Sequence, residues 1–121
     1  MSQLIGAVSH HKREVEELRN DKELAIGYLQ FSLESLSNPD ERAGALLSIR
    51  AIAEAYGGIG KIAAEAGISR ESLYRSLSPK GNPTMKTLIA VMNAVGMRLS
   101  AIEAPRKKAT RPKVQRRSIA A

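Results

Sequence analysis

Apolar residues recur at spacings of three and four through most of this chain, the period of amphipathic helices rather than the alternation of strands. Asn20-Asp21-Lys22-Glu23 opens the first firm helix: Asn20 is placed to cap it, and Glu23, three residues on, reaches back as in a capping box. Leu24, Tyr28 and Phe31, with Leu29, Leu33 and Leu36, follow at helical spacing, and the helix is expected to stop near Ser37. Asn38-Pro39-Asp40-Glu41 reads as the next start, with Asn38 as N-cap and Pro39 at the first helical position. Ala45, Leu46, Ile49, Ile52, Ala53 and Tyr56 then form one apolar stripe that Gly57-Gly58 ends.

Two short helices are expected next. Lys61 to Ala66 is stopped by Gly67; after Ile68, Ser69 can cap a second helix that runs through Leu77. Ser78-Pro79-Lys80-Gly81-Asn82-Pro83 is dense in turn formers and reads as a loop. Thr84 caps a last helix whose buried face is Leu88, Val91, Met92 and Val95, with Gly96 as its stop. Leu99, Ala101 and Ile102 alternate with polar residues, as a short strand or a segment packed onto the core would. The expectation is an all-α fold of about five helices over residues 20–104. It is preceded by a flexible segment, 1–19, and followed from Pro105 by a disordered tail, although the acids of 14–23 also suit a solvated helix face.

Composition narrows the picture. Aromatics are only 3% of 121 residues and Trp is absent, which suits close-packed helices of small aliphatic residues better than a sheet sandwich. There is no Cys, so disulfides and thiolate metal sites are excluded. Neither a signal peptide nor an apolar run of the roughly 20 residues a membrane span needs is visible, and the chain reads as soluble and cytoplasmic.

The net charge of +7 matters mainly through its distribution. Residues 1–57 balance at −3 and residues 58–98 at +4, while residues 105–121 hold seven basic side chains and no acid. The middle of the chain and the tail therefore suit a polyanion, and the N-terminal half does not.

That charge gives the two short helices a functional reading, a helix-turn-helix between about Gly60 and Leu77. Ala63, Ala64 and Ala66 keep the first helix slim, Gly67 takes the sharp turn and Ile68 plugs the junction. Leu73 and Leu77 anchor the second helix, leaving Arg70, Glu71, Tyr74 and Arg75 on one outward face. Arginine can bond guanine twice, a carboxylate can accept from cytosine, and Tyr can stack on a thymine methyl or bond a phosphate. The residues expected to read bases are Ser69, Arg70, Glu71, Ser72, Tyr74 and Arg75, the first four entering the groove most deeply. Lys61, Ser78, Lys80, Asn82 and Thr84, at helix ends or in the loop, are expected to bind phosphates, as are Arg106, Lys107, Lys108 and Arg111 of the tail. Two amphipathic helices of an ordinary bundle would share part of this pattern.

Other constellations carry less. Gly57-Gly58-Ile59-Gly60-Lys61 lacks the spacing of a phosphate-binding loop, with Ala55 and Ile62 where Gly and Ser or Thr belong. His10-His11 have no acidic or thiol companion at ligand spacing, and no nucleophile–base set can be assembled around them, so neither metal, cofactor nor enzyme activity is expected. The tail suits a salt-sensitive phosphate clamp, a minor-groove arm built on Thr110-Arg111-Pro112-Lys113, or a solvated solubility segment.

From Asn20 to Glu103 the chain resembles the helix-turn-helix antidotes of bacterial toxin–antitoxin modules, the "probable addiction module antidote protein" family. Asp21-Lys22-Glu23-Leu24-Ala25 with Tyr28-Leu29 resembles the family's opening helix, and Tyr56-Gly57-Gly58-Ile59-Gly60-Lys61-Ile62-Ala63 its entry to the DNA-binding unit. The run from Gly67 to Thr84 resembles its signature, most specifically in Ser78-Pro79-Lys80-Gly81-Asn82-Pro83. The DNA-binding half is similar to the wider Cro/phage-repressor class. The resemblance implies an antitoxin that neutralises a small toxin and represses its own operon as a homodimer on a palindromic double-stranded operator. The acidic N-terminal half, with Glu16, Glu17 and Glu23, is the face expected to meet a basic toxin. A solitary transcriptional regulator, or an architectural DNA-binding protein acting through its tail, are the alternatives.

Overall fold

The computed structural model describes residues 2–101 and 103–105, with side-chain surroundings from His10 onward. Those residues hold six α-helices and no strand: α1 (Ser2–Asn20), α2 (Lys22–Ser35), α3 (Arg42–Ala55), α4 (Gly58–Ala66), α5 (Arg70–Ser76) and α6 (Met85–Ala94). The all-α expectation holds, with one helix more than expected. None of the described helices is long and apolar enough to cross a membrane.

The additional helix is α1, where a flexible segment was expected. Its apolar contribution is sparse, since Val15 and Leu18 stand among charged residues, yet both are buried in the common core. Three apart on a helix, they form the narrow stripe that fastens α1 against α3. Tyr56, at the end of α3, reinforces the contact by donating its hydroxyl to the Leu18 carbonyl at 2.6 Å, in the last turn of α1 where carbonyls lack helical partners.

Helix α2 departs from its expected register at its start and over part of its buried face. Asp21, not Asn20, caps it, its carboxylate accepting from the Leu24 N–H at 3.1 Å. The helix stops at Ser35. Its buried residues are Ala25, Leu29, Ser32 and Ser35; of the expected stripe Leu29 is buried and Leu33 and Leu36 pack half-buried against the core, while Leu24, Tyr28 and Phe31 stand exposed. Small side chains let α2 lie close against α3, and that close approach decides which face is covered.

The start of α3 also shifts. Asn38 accepts from the Asp40 N–H, two residues on, at 2.9 Å, so its side chain closes a turn instead of capping a helix. The chain spends Asn38–Glu41 in that turn, and α3 begins at Arg42 with no side-chain cap. Its expected stripe is as read: Ala45, Leu46, Ile49, Ile52 and Ala53 are buried, with Tyr56 half-buried.

Downstream, local rules are obeyed closely. Gly67 sits at φ 72°; its N–H reaches the Ala64 carbonyl, and the Ile68 N–H reaches the Ala63 carbonyl at 3.0 Å. This is the Schellman closure, which requires a left-handed residue and so favours Gly. Ser69 and Thr84 cap α5 and α6, accepting from the Ser72 and Thr87 N–H groups at 3.0 and 3.2 Å. Gly96 ends α6 in the same way as Gly67 ends α4. Residues 97–101 form no strand, and Leu99 is 57% exposed instead of packed down; Ile102 lies outside the described residues.

Candidate functional site

Helices α4 and α5 meet through the Gly67–Ser69 turn, and α6 packs across α4. Ile62, Ala63 and Ala66 of α4, with Leu73 and Leu77 of α5, enter the same core as α3 and α6. With Leu73 and Leu77 wholly buried, α5 can present only its other side. Ser69, Arg70, Glu71, Tyr74 and Arg75 are all exposed and Ser72 is half-buried, so each of the six residues expected to read bases is accessible.

Several of these side chains are already engaged within α5. The Ser69 hydroxyl, besides capping, donates to Ser72 Oγ at 3.1 Å, and Arg75 Nη2 donates to the same oxygen at 3.3 Å. Arg70 lies back over α4: a Cβ added to Gly60 would fall 2.5 Å from Arg70 Nη2. The missing side chain at Gly60 is thus the space into which the Arg70 guanidinium fits.

The residues expected to bind phosphates divide. Lys61 is exposed and faces Glu65 at 3.9 Å, one turn on. Lys80 is exposed. The Ser78 hydroxyl donates to the Arg75 carbonyl at 2.7 Å, and Thr84 Oγ1 donates to Thr87 Oγ1 as well as capping α6. Those two hydroxyls have work to do in closing helix ends. Asn82 Oδ1 accepts from Arg42 Nη2 at 3.1 Å, while the same guanidinium donates to the carbonyls of Gly81 and Leu36. Arg42 therefore ties the Ser78–Pro83 loop to the start of α3. Arg106, Lys107, Lys108 and Arg111 lie outside the described residues.

Two cations near this surface escaped the sequence reading. Lys86 of α6 places its ammonium beside Gly67, 3.4 Å from where a Cβ would stand, at the negative end of α4. Arg50 of α3 lies over the Tyr74 ring, with its Cζ 5.4 Å from the ring centroid. Its sequence signal was its register: four residues after Leu46 and three before Ala53, it borders the buried stripe.

Elsewhere, His11 finds the acid that sequence spacing did not reveal. Its Nε2 lies 2.8 Å from Oε1 of Glu54, linking α1 to α3. No group of three or more potential metal ligands occurs among the described residues. Glu14, Glu16, Glu17 and Tyr28 line a polar cleft of about 510 Å³ with His10, Arg13 and Asn20. Partial desolvation of this largely exposed side chain, reinforced by the negative charge of Glu14, raises the Tyr28 phenol above its ordinary value of 10.0, and its hydroxyl donates to Glu14 Oε2 at 3.4 Å. Phe31, Met85, Leu88, Met92, Met97 and Leu99 line an apolar cleft of about 670 Å³ beside α2 and α6.

Comparison with known proteins adds the following. The family described as "probable addiction module antidote protein" matches residues 10–103, and so takes in the second half of α1 as well as everything through Glu103. A relative from Haemophilus influenzae, described as an uncharacterized protein, is 54% identical over 37 residues, which is 31% of this chain and 38% of that relative. The chain thus matches well under half the length of that relative. No solved structure matches. Because the family match covers most of the 121 residues, the chain belongs to the probable addiction module antidote protein family.

Proposed function

We propose that the chain is the antitoxin of a toxin–antitoxin module, that α4 and α5 form a DNA-reading helix-turn-helix, and that it represses its own operon as a homodimer. The observation that carries DNA reading is the build of α5: it is capped by Ser69, anchored on one side by Leu73 and Leu77, and lined on the other by Arg70, Glu71, Tyr74 and Arg75. A helix so held can enter a major groove without exposing core residues, and its first turn leads. Arg70 and Glu71 supply the complementary choices for guanine and cytosine edges. Lys61 and Lys80 flank the helix as phosphate contacts, with the basic tail adding affinity that falls with salt. In a dimer, two copies of α5 would lie about 34 Å apart on one side of a palindrome.

Family membership supports the toxin partner, and the acids of α1 and α2 supply a surface suited to a basic one.

The test is binding to DNA from upstream of the chain's own gene, against scrambled DNA, with and without residues 105–121. Sequence-selective binding that survives truncation is expected. Arg70→Ala is expected to relax selectivity at one base pair at a cost of about 1–3 kcal/mol. Selectivity lost together with the tail would refute base reading by α5 and favour an architectural role.

A further inference from the structure

Arg50 is a guanidinium in search of an anion. It stands half-buried on α3, outside the α4–α5 unit, and its Nε is shielded from solvent with no hydrogen-bond partner. The two terminal nitrogens reach solvent, and Arg50 forms no hydrogen bond or ion pair among the described residues. The nearest carboxylate by helical register, Glu54 one turn on, is held by His11 of α1 at 2.8 Å. What does hold Arg50 is the face of Tyr74, which is itself 43% exposed on the outward side of α5.

Desolvating a guanidinium without a carboxylate costs free energy, which stacking on an aromatic face offsets only in part. The Tyr74 ring, 5.4 Å from Cζ, holds the guanidinium beside α5, and Nε is the one atom of the fork shut off from solvent without a partner. A planar fork so held suits an oxyanion that accepts two parallel hydrogen bonds, and a phosphate diester is such an acceptor.

We propose that Arg50, held on the Tyr74 ring, forms a binding site for one DNA backbone phosphate at the flank of α5. The assignment rests on the DNA-binding reading of α5. Arg50 is rooted on α3 and not on the helix that would enter the groove, so the contact we assign to it is with the backbone rather than with a base edge. Arg50 therefore fixes how α5 sits on the duplex without reading sequence. Tyr74 orients this contact as well as facing the groove.

The experiment is a titration of the full chain against a labelled duplex from its own promoter and against a scrambled duplex, at several salt concentrations between about 50 and 200 mM. For Arg50→Gln, affinity is expected to fall roughly tenfold at the low-salt end on both duplexes alike, and the slope of log affinity on log salt to become shallower by about 0.9. Arg50→Lys retains the charge and is expected to keep most of the slope while losing affinity. Should Arg50→Gln not fold, Tyr74→Ala leaves Arg50 present but unheld and is expected to flatten the slope as well. An unchanged slope in the folded variant, with wild-type binding intact, overturns the Arg50 site and leaves the DNA-binding reading standing. A loss confined to the promoter duplex overturns it too, because that outcome marks base reading. Wild type that binds neither duplex overturns both.

Discussion

Two glycines near the α5 surface predict opposite outcomes for the same substitution. A Cβ on Gly81 would overlap the carbonyl carbon and oxygen of Ser76 and stand 2.5 Å from the Arg75 carbonyl oxygen. All three atoms are backbone at the end of α5, and a real Cβ does not approach closer than 3.0 Å, so the Arg75 contact alone demands a shift of at least about 0.5 Å. That shift cannot be local. The Gly81 carbonyl is bonded by Arg42 at 3.2 Å, Ser78 Oγ bonds the Arg75 carbonyl, and the Gly81 N–H reaches the Ser78 carbonyl at 2.8 Å. Overpacking of this kind costs about 1–3 kcal/mol, and the lost bonds add roughly 0.5–1.5 kcal/mol each. Gly81→Ala is therefore expected to destabilise by at least about 2 kcal/mol. At Gly60 the obstacle is the far end of Arg70, which can swing into solvent. Gly60→Ala is expected to leave stability unchanged or raise it by up to about 1 kcal/mol, as Ala is the better helix former. Under the proposed DNA reading by α5, it is also expected to weaken binding to the promoter duplex by unseating Arg70. Urea denaturation followed by circular dichroism measures both stabilities at equal m-value. A Gly81→Ala unfolding free energy within about 0.5 kcal/mol of wild type would refute the steric argument, and equal destabilisation by the two variants would show that glycine's role here is not positional.

Tyr56→Phe removes the hydroxyl that joins α3 to the Leu18 carbonyl while keeping the ring, and is expected to cost about 0.5–1.5 kcal/mol in the same urea assay; no loss would mean that water replaces the bond without penalty. For Tyr28, a phenol pKa raised on folding stabilises fully below the unfolded value of 10.0, and that contribution is lost as pH rises through the higher folded value. An ultraviolet phenolate titration of wild type minus Tyr28→Phe should show a midpoint above 10.0 that moves down in Glu14→Gln; a midpoint at or below 10.0 would refute the environment assigned to Tyr28.

What could be read from the sequence follows the range of the interaction concerned. Ser69, Thr84 and Gly67 act on groups three to five residues away, so their residue types and spacing suffice to place the end of α4 and the starts of α5 and α6, whereas α4 begins at Gly58, three residues before the expected Lys61. Leu73 and Leu77 fix the buried side of α5 by period alone, and the outward face follows. The misreadings arise where a local option competes with a distant partner or with another local one. Asn38 offers an oxygen to any nearby N–H, and a turn at Asp40 won over a cap. On α2 the expected stripe divides: Leu29 is buried and Leu33 and Leu36 pack against the core, but Leu24, Tyr28 and Phe31 stay exposed while the small Ala25, Ser32 and Ser35 are covered against neighbouring helices. Helix α1 has no clear sequence signal, since its two buried anchors, Val15 and Leu18, gain their partners only when α3 is present. The site shows the same division. The face of α5 was legible, but the sequence says nothing of Arg50 on Tyr74, 24 residues away, or of Arg42 on Gly81 and Asn82, 39 and 40 residues away. These tertiary contacts determine whether a cation is available to a ligand or already spent inside the fold. Arg42, with three acceptors, is spent; Arg50, with a ring and no acceptor, is available. Net charge counts the two alike, and only the fold separates them.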